Sequence, residues 1–320
     1  MKLNTLGRSQ LRVSEIGLGT MNFGYDWHGI GAIDEKTARS LVDMALERGV
    51  TLIDTADIYG YGASESLLGK ILAKRRSKVV LATKVLGQMK PGDPSSGGLS
   101  RRHITQGLEA SLKRLRTDYV DLYMPHGWDP AVPLQETLEA LHDAKQAGKV
   151  RVLGCSNFYG EQLQRSLELA ATGRRHRFEF DQVEYSLANR QIEGDVMPVC
   201  AASDVSVLAW SPLGGGFLSG KYSRAGKRPE GRRRDPEKAF PPLPEERLGG
   251  LSRVLERIAT LEVISPAQAA IGWLLGKPHV ASVIVGARTA DQLEMNLASR
   301  ALPPRSAAFL DKASELCLAS

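Results

Sequence analysis

Four side chains in this chain have types and placements suited to moving a proton: Asp54, Tyr59, Lys84 and His126. A phenol is a weak acid, with an ordinary pKa of roughly 10. It becomes a useful donor where a cation stabilises the phenolate left behind. Lys84 supplies such a cation, and Asp54 would hold its ammonium by a charge-assisted hydrogen bond. His126 would hydrogen-bond and position an oxygen on which negative charge develops. Each residue has a plainer role when taken singly. A loop tyrosine usually packs, and a lysine–aspartate pair is often only structural. The four become informative because each follows a short apolar run of strand character: Val50–Ile53, Val79–Thr83 and Tyr119–Tyr123.

Such runs recur along the chain. Leu3 to Ser14 alternates apolar and polar residues around a Gly7 turn and reads as a β-hairpin, which would plug the bottom of a barrel. Ile16–Met21 is the first barrel strand, followed by strands ending at Asp54, at Lys84 and near His126. Val150–Gly154, Phe180–Tyr185, Val205–Trp210 and Val280–Val285 complete a set of eight. Helices are predicted between them, with Asp34 and Ser100 as N-caps and Gly49 and Gly148 as stops. Regular βα alternation gives a parallel sheet, and eight units favour closure into a (β/α)8 TIM barrel. A dinucleotide fold of the open type needs a glycine pattern that Gly17-Leu18-Gly19-Thr20-Met21-Asn22 lacks. The segment Tyr222 to Pro244, with Arg232-Arg233-Arg234, interrupts the alternation as a long loop. Extra helices are predicted at Glu245–Glu262, Pro266–Leu275 and Ser306–Cys317. Pro125 removes a ladder donor, so the strand before His126 is expected to end by Met124 or to bulge.

With 320 residues and 42% hydrophobic content, one barrel domain over residues 1–320 accounts for the whole chain. The formal charge of +6 comes without a basic stripe interleaved with aromatics, which argues against nucleic acid as a partner. Cys155, Cys200 and Cys317 are widely spaced and show neither a disulfide framework nor a metal-ligand pattern. The first residues have no apolar signal region, and no run approaches a membrane span. A soluble cytoplasmic protein without a membrane partner is the expectation. Nothing in the sequence speaks to oligomeric state.

The strings DTADIYG, LATK, YVDLYMPHGWD, GCSNF, QVEYS, AWSPLGGGFLSGKY and VGARTADQLEMN fall in order between residues 19 and 296. Together they resemble the aldo-keto reductases, in particular bacterial members related to potassium-channel β subunits and aryl-alcohol dehydrogenases. The resemblance implies a barrel that reduces an aldehyde or ketone with a nicotinamide cofactor, reversibly, with Tyr59 as the acid. Residue chemistry points to the same cofactor. Ser156, Asn157 and Gln182 offer amide and hydroxyl groups to a carboxamide. Trp210 offers a flat face to its ring. Ser211-Pro212-Leu213-Gly214-Gly215-Gly216 would cradle a pyrophosphate with backbone N–H groups, and Lys221 adds a cation. Gly286-Ala287-Arg288 leads into a helix N-terminus that favours an anion. By resemblance, Arg288 meets the 2′-phosphate of NADP, which makes NADPH the expected cofactor over NADH. Gln292 and Asn296 match adenosine contacts, whereas Met295 stands where relatives often carry an acid. Gly19, Thr20, Met21 and Asp54 complete the implied cofactor set.

Tyr25, Trp27, His28, Trp128 and Tyr159 sit in catalytic-end loops and are the expected lining for a small carbonyl substrate. Two other functions compete. A cofactor-sensing regulatory subunit of the channel β type would keep the cofactor site with little turnover; no N-terminal extension of the kind such subunits carry precedes the hairpin. A Schiff-base enzyme would use Lys84 as nucleophile, which requires a neutral amine that Asp54 opposes.

Overall fold

The computed structural model describes residues 1–26, 32–173, 175–221, 240–243, 246 and 248–319. Strands β1 (Leu3–Thr5) and β2 (Arg12–Ser14) form the antiparallel hairpin. The barrel strands are β3 (Ile16–Gly19), β4 (Leu52–Asp54), β5 (Val80–Val85), β6 (Val120–Pro125), β7 (Val150–Leu153), β8 (Cys155–Ser156), β9 (Phe180–Glu184), β10 (Ser206–Trp210) and β11 (Val280–Val285). All barrel pairings are parallel, in the order β7-β6-β5-β4-β3-β11-β10-β9-β8. The two ends of that sheet are consecutive in the chain and meet at Gly154. One stave is therefore split in two, and nine strands make an eight-stave barrel. Gly154 is required there, because a Cβ would lie 2.4 Å from the Phe180 ring.

Helices α1 (Glu35–Glu47), α2 (Ala63–Leu72), α3 (Arg101–Leu115), α4 (Leu134–Gln146), α5 (Gly160–Thr172) and α6 (Val196–Ser203) connect successive staves. The side chains of Asp34 and Ser100 accept the N–H groups of Thr37 and His103, capping α1 and α3. Gly49 and Gly148 follow α1 and α4 with φ of 82° and 75°, which L side chains resist. Beyond β10 come α7 (Gly249–Leu261) and α8 (Pro266–Leu275), with α9 (Ala290–Leu297) and α10 (Pro304–Ala319) after β11. Ser265 and Gln268 form a reciprocal cap on α8. Of the long loop, Arg232–Arg234 and most neighbours lie outside the described residues. No single helix among the described residues is long and apolar enough to cross a membrane.

Strand periodicity explains where the polar groups end up. Leu52, Val80, Ala82, Leu122, Met124, Val152, Phe180, Leu208 and Ile284 fill the barrel interior. The hairpin's Leu6 and Val13 join that cluster and stopper its lower end. The hairpin is pinned by Asn4 Nδ2 donating to the Ala281 carbonyl (2.9 Å) and by the Gly7 N–H donating to Ser206 Oγ (2.9 Å). Side chains two apart on a strand share a face. Each interior row, continued by one such step toward the C-terminal end, arrives at a functional group: Leu52 to Asp54, Ala82 to Lys84, Met124 to His126, Phe180 to Gln182 and Leu208 to Trp210.

Pro125 corrects the expectation of a strand ended by Met124 or bulged. It is paired with Val85 as the last residue of β6, without a bulge. The His126 N–H donates to the Val85 carbonyl at 2.9 Å, so the proline's missing donor falls on the opposite side, toward β7. There the pairing has already ended, at Tyr123 with Leu153.

Candidate active site

Lys84 is completely buried at the end of β5. Its Nζ donates to both Asp54 oxygens (2.8 and 2.7 Å), to the Thr55 carbonyl (2.8 Å) and to the Tyr59 hydroxyl (3.4 Å). Burial opposes its charge, but the Asp54 carboxylate and Tyr59 outweigh burial, and the Lys84 pKa is raised. The ammonium is thus the stable form, which disfavours a nucleophilic Lys84. Gln182 Nε2 donates to Asp54 Oδ1 at 2.8 Å, fixing the carboxylate from across the barrel. Thr20 Oγ1 donates to the Asp54 carbonyl at 2.9 Å.

The Tyr59 ring meets His126 edge-on, with centroids 5.5 Å apart. Burial first, and the Lys84 charge second, push the His126 pKa well below the usual imidazole range. The imidazole is therefore neutral at ordinary pH and can still donate from one ring nitrogen. Asn157 adopts φ of 57° and bridges three staves. Its Nδ2 donates to the His126 carbonyl (3.0 Å) and Ser156 Oγ (3.0 Å), while its Oδ1 accepts from Trp210 Nε1 (2.9 Å). Ser156 Oγ donates to the Gln182 carbonyl at 2.8 Å.

These groups border a cavity of about 650 Å³ at the C-terminal end of the barrel. Gly19, Thr20, Met21, Asp54, Tyr59, His126, Ser156, Asn157, Gln182 and Trp210 line one part. It continues past Ser211, Pro212, Leu213, Gly216 and Lys221 to Gly286, Arg288, Gln292 and Asn296. Gly214 alone of the expected cofactor set is not in the lining. The expected N–H cradle is also corrected. Gly214, Gly215 and Gly216 direct their N–H groups to the Ser211 carbonyl (2.8 Å), Ser211 Oγ (3.2 Å) and the Leu213 carbonyl (3.0 Å). The turn spends these donors on itself, as it does the Ser219 hydroxyl, which donates to the Gly216 carbonyl at 2.6 Å, while Ser211 and Lys221 line this part of the cavity. Gln292 Oε1 accepts the Arg288 N–H at 2.9 Å and steadies the backbone of that arginine.

The expected substrate aromatics are placed differently. Tyr25 is exposed and meets Tyr61 edge-on, Trp128 packs against Phe158, and Tyr159 is exposed at the start of α5; none of the three lines the cavity. Trp27 and His28 lie outside the described residues. Sequence reading did not single out Asn22, Ile58 or Phe240, which do line it. Phe240 stacks on Trp210 at 6.0 Å, with rings 4° from parallel. Its only signal in the sequence is a position in the long loop. Among the described residues no cluster of potential metal ligands is present.

Comparison with known proteins agrees with this geometry. The model of the Aldo/keto reductase family matches residues 15–315. The chain belongs to the aldo/keto reductase family. The Bacillus subtilis (strain 168) protein described as uncharacterized oxidoreductase YrpG is 40% identical, the match covering 92% of this chain and 89% of the relative. Protein tas of Escherichia coli (strain K12) is 35% identical over 93% of each. A probable voltage-gated potassium channel subunit beta of Arabidopsis thaliana is 32% identical over 99% of this chain and 96% of its own length. This aldo/keto reductase therefore has relatives with both an oxidoreductase and a channel-subunit description.

Proposed function

We propose that this chain is an NADPH-dependent carbonyl reductase in which Tyr59 donates the proton to the substrate oxygen. The observation that carries this is the Tyr59 hydroxyl 3.4 Å from a buried ammonium that Asp54 holds with both oxygens, all beside the cavity. The ammonium stabilises the phenolate formed as the proton leaves. Neutral His126 donates a hydrogen bond to the same substrate oxygen and orients it. Asp54 and Gln182 keep Lys84 charged and in place.

The residues present fit a nicotinamide dinucleotide. Trp210 presents a flat ring, Asn157 and Gln182 present amides, and Lys221 and Arg288 present cations along one cavity. A bound reduced nicotinamide would supply the hydride. Arg288 carries the preference for NADPH, because a guanidinium matches a phosphate dianion. The substrate is a small carbonyl compound, and the apolar walls Met21, Ile58, Trp210 and Phe240 favour an aromatic or hydrophobic one. The test is NADPH oxidation with a panel of aromatic aldehydes and ketones. Absence of turnover with every member, while NADPH binds, would refute the reductase. The channel-subunit relatives support a second reading as a cofactor sensor. Very slow release of bound NADP together with negligible turnover would favour it.

A further inference from the structure

Behind the proton-donating pair lies a polar cluster that the proposed reaction does not use. Asp57, in the loop between Asp54 and Tyr59, is buried and does not line the cavity. Its N–H donates to the Lys84 carbonyl at 3.2 Å, so the loop is tied to the end of β5. Glu65 of α2, Arg114 of α3, Lys84 of β5 and Tyr123 of β6 are the ionisable groups that act on its carboxyl. Glu65 is itself buried, and its oxygens accept from Thr83 Oγ1 (2.6 Å) and Arg114 Nε (2.6 Å). Arg114 is therefore already matched in charge by Glu65, as Lys84 is by Asp54. Among the described residues neither oxygen of Asp57 has a hydrogen bond of ordinary geometry, and the adjacent Ile58 N–H supplies only a partial pull. A carboxylate without well-placed donors or a counter-charge is strongly disfavoured in such a place, whereas the neutral acid is tolerated.

We propose that Asp57 is a positioning residue that serves as a neutral acid behind the Tyr59–Lys84 pair, and that its ionisation switches off proton donation on the alkaline side. Burial, then the Glu65 charge, pushes its pKa up to about 8, against the pull of the Ile58 N–H, Arg114 and Lys84. Once ionised, Asp57 adds a negative charge near Lys84. That charge offsets the ammonium and makes a phenolate at Tyr59 harder to form. The rate consequence rests on the reductase reading; the effect on Tyr59 does not.

Two measurements on the full chain test this. Ultraviolet titration of Tyr59, isolated by subtracting Tyr59→Phe in each background, is expected to show the phenolate forming about one pH unit lower in Asp57→Asn than in the native protein. In carbonyl reduction, the alkaline fall of kcat/KM near pH 8 is expected to move upward by a similar amount in Asp57→Asn. Identical Tyr59 titrations in the two backgrounds would overturn the proposal whether or not turnover is found. A shifted titration without turnover for any carbonyl would support Asp57 and reject the reductase. Should Asp57→Asn not fold, infrared spectra of Asp181→Asn, which removes another buried carboxyl whose pKa is raised by burial, decide the matter. A protonated-acid band that disappears between pH 7 and 9 supports the proposal, and no such band at any pH overturns it.

Discussion

Replacing Lys84 with methionine and Asp54 with asparagine, singly and together, measures how far the buried pair holds itself in place. Lys84→Met keeps the length of the side chain but leaves the Asp54 carboxylate to the Gln182 amide, which donates to it at 2.8 Å. It also removes the donor 2.8 Å from the Thr55 carbonyl. Breaking one side of a buried ion pair costs about 3–5 kcal/mol. An orphaned buried carbonyl adds about 1–3 kcal/mol. Asp54→Asn strands the ammonium at a similar cost of about 3–5 kcal/mol. The double variant carries neither stranded charge, so its loss should fall short of the summed single losses by at least about 3 kcal/mol. Urea unfolding followed by circular dichroism at pH 7 gives all three differences. Losses that add to within about 0.5 kcal/mol would show the two side chains to be energetically independent and refute the reasoning.

Tyr59→Phe should lower kcat for carbonyl reduction by about 10²–10⁴-fold, the usual worth of a general acid, while NADPH affinity by titration calorimetry stays unchanged. Arg288→Leu should weaken NADPH binding by roughly 10- to 100-fold, from the loss of about 1.5–3 kcal/mol of charged hydrogen bonding, and leave NADH binding unaltered. Asp181 lies buried on β9, and burial pushes it up to about 7 against the pull of the Cys155 thiol and the Phe158 N–H. The unfolded chain sheds that proton near pH 4 and the folded protein keeps it to about 7. Its contribution to stability is therefore present at low pH and declines by about 1.4 kcal/mol per pH unit across the interval. Asp181→Asn should remove that slope from chemical-denaturation curves at pH 5, 6 and 7.

Periodicity carried much of the fold and the centre of the site. The rows from Leu52 to Asp54, Ala82 to Lys84 and Met124 to His126 are legible because a strand repeats every two residues and a barrel has one interior. The consequence of Pro125 was less legible. Whether its missing N–H matters depends on which neighbour the strand faces at that level, and the partner β7 had already ended. The glycine turn misled for a related reason. Its composition permits an anion cradle or a self-bonded turn, and the Ser211 hydroxyl and carbonyl decide for the latter. Loop aromatics such as Trp128 and Tyr159 could not be aimed from sequence, because no repeat constrains a loop side chain. Nothing in the sequence sets Asp57 apart from other polar loop residues, because its burial without a hydrogen bond of ordinary geometry is a product of the tertiary fold.

The stoppering hairpin also bears on how the molecule is made. Its anchors, Ser206 and Ala281, lie far downstream, and the Glu15 carbonyl that follows it accepts the Val283 N–H at 2.9 Å. The hairpin, synthesised ahead of every barrel strand, thus has no complete seat until β11 has been made. During that interval Leu6 and Val13 are without their interior neighbours, and β3 presents a bare edge where β11 will pair. Contacts of such long sequence separation form late, and an unpaired parallel edge invites association with other chains. Fragments ending before Val280 should therefore aggregate in preference to folding as smaller barrels.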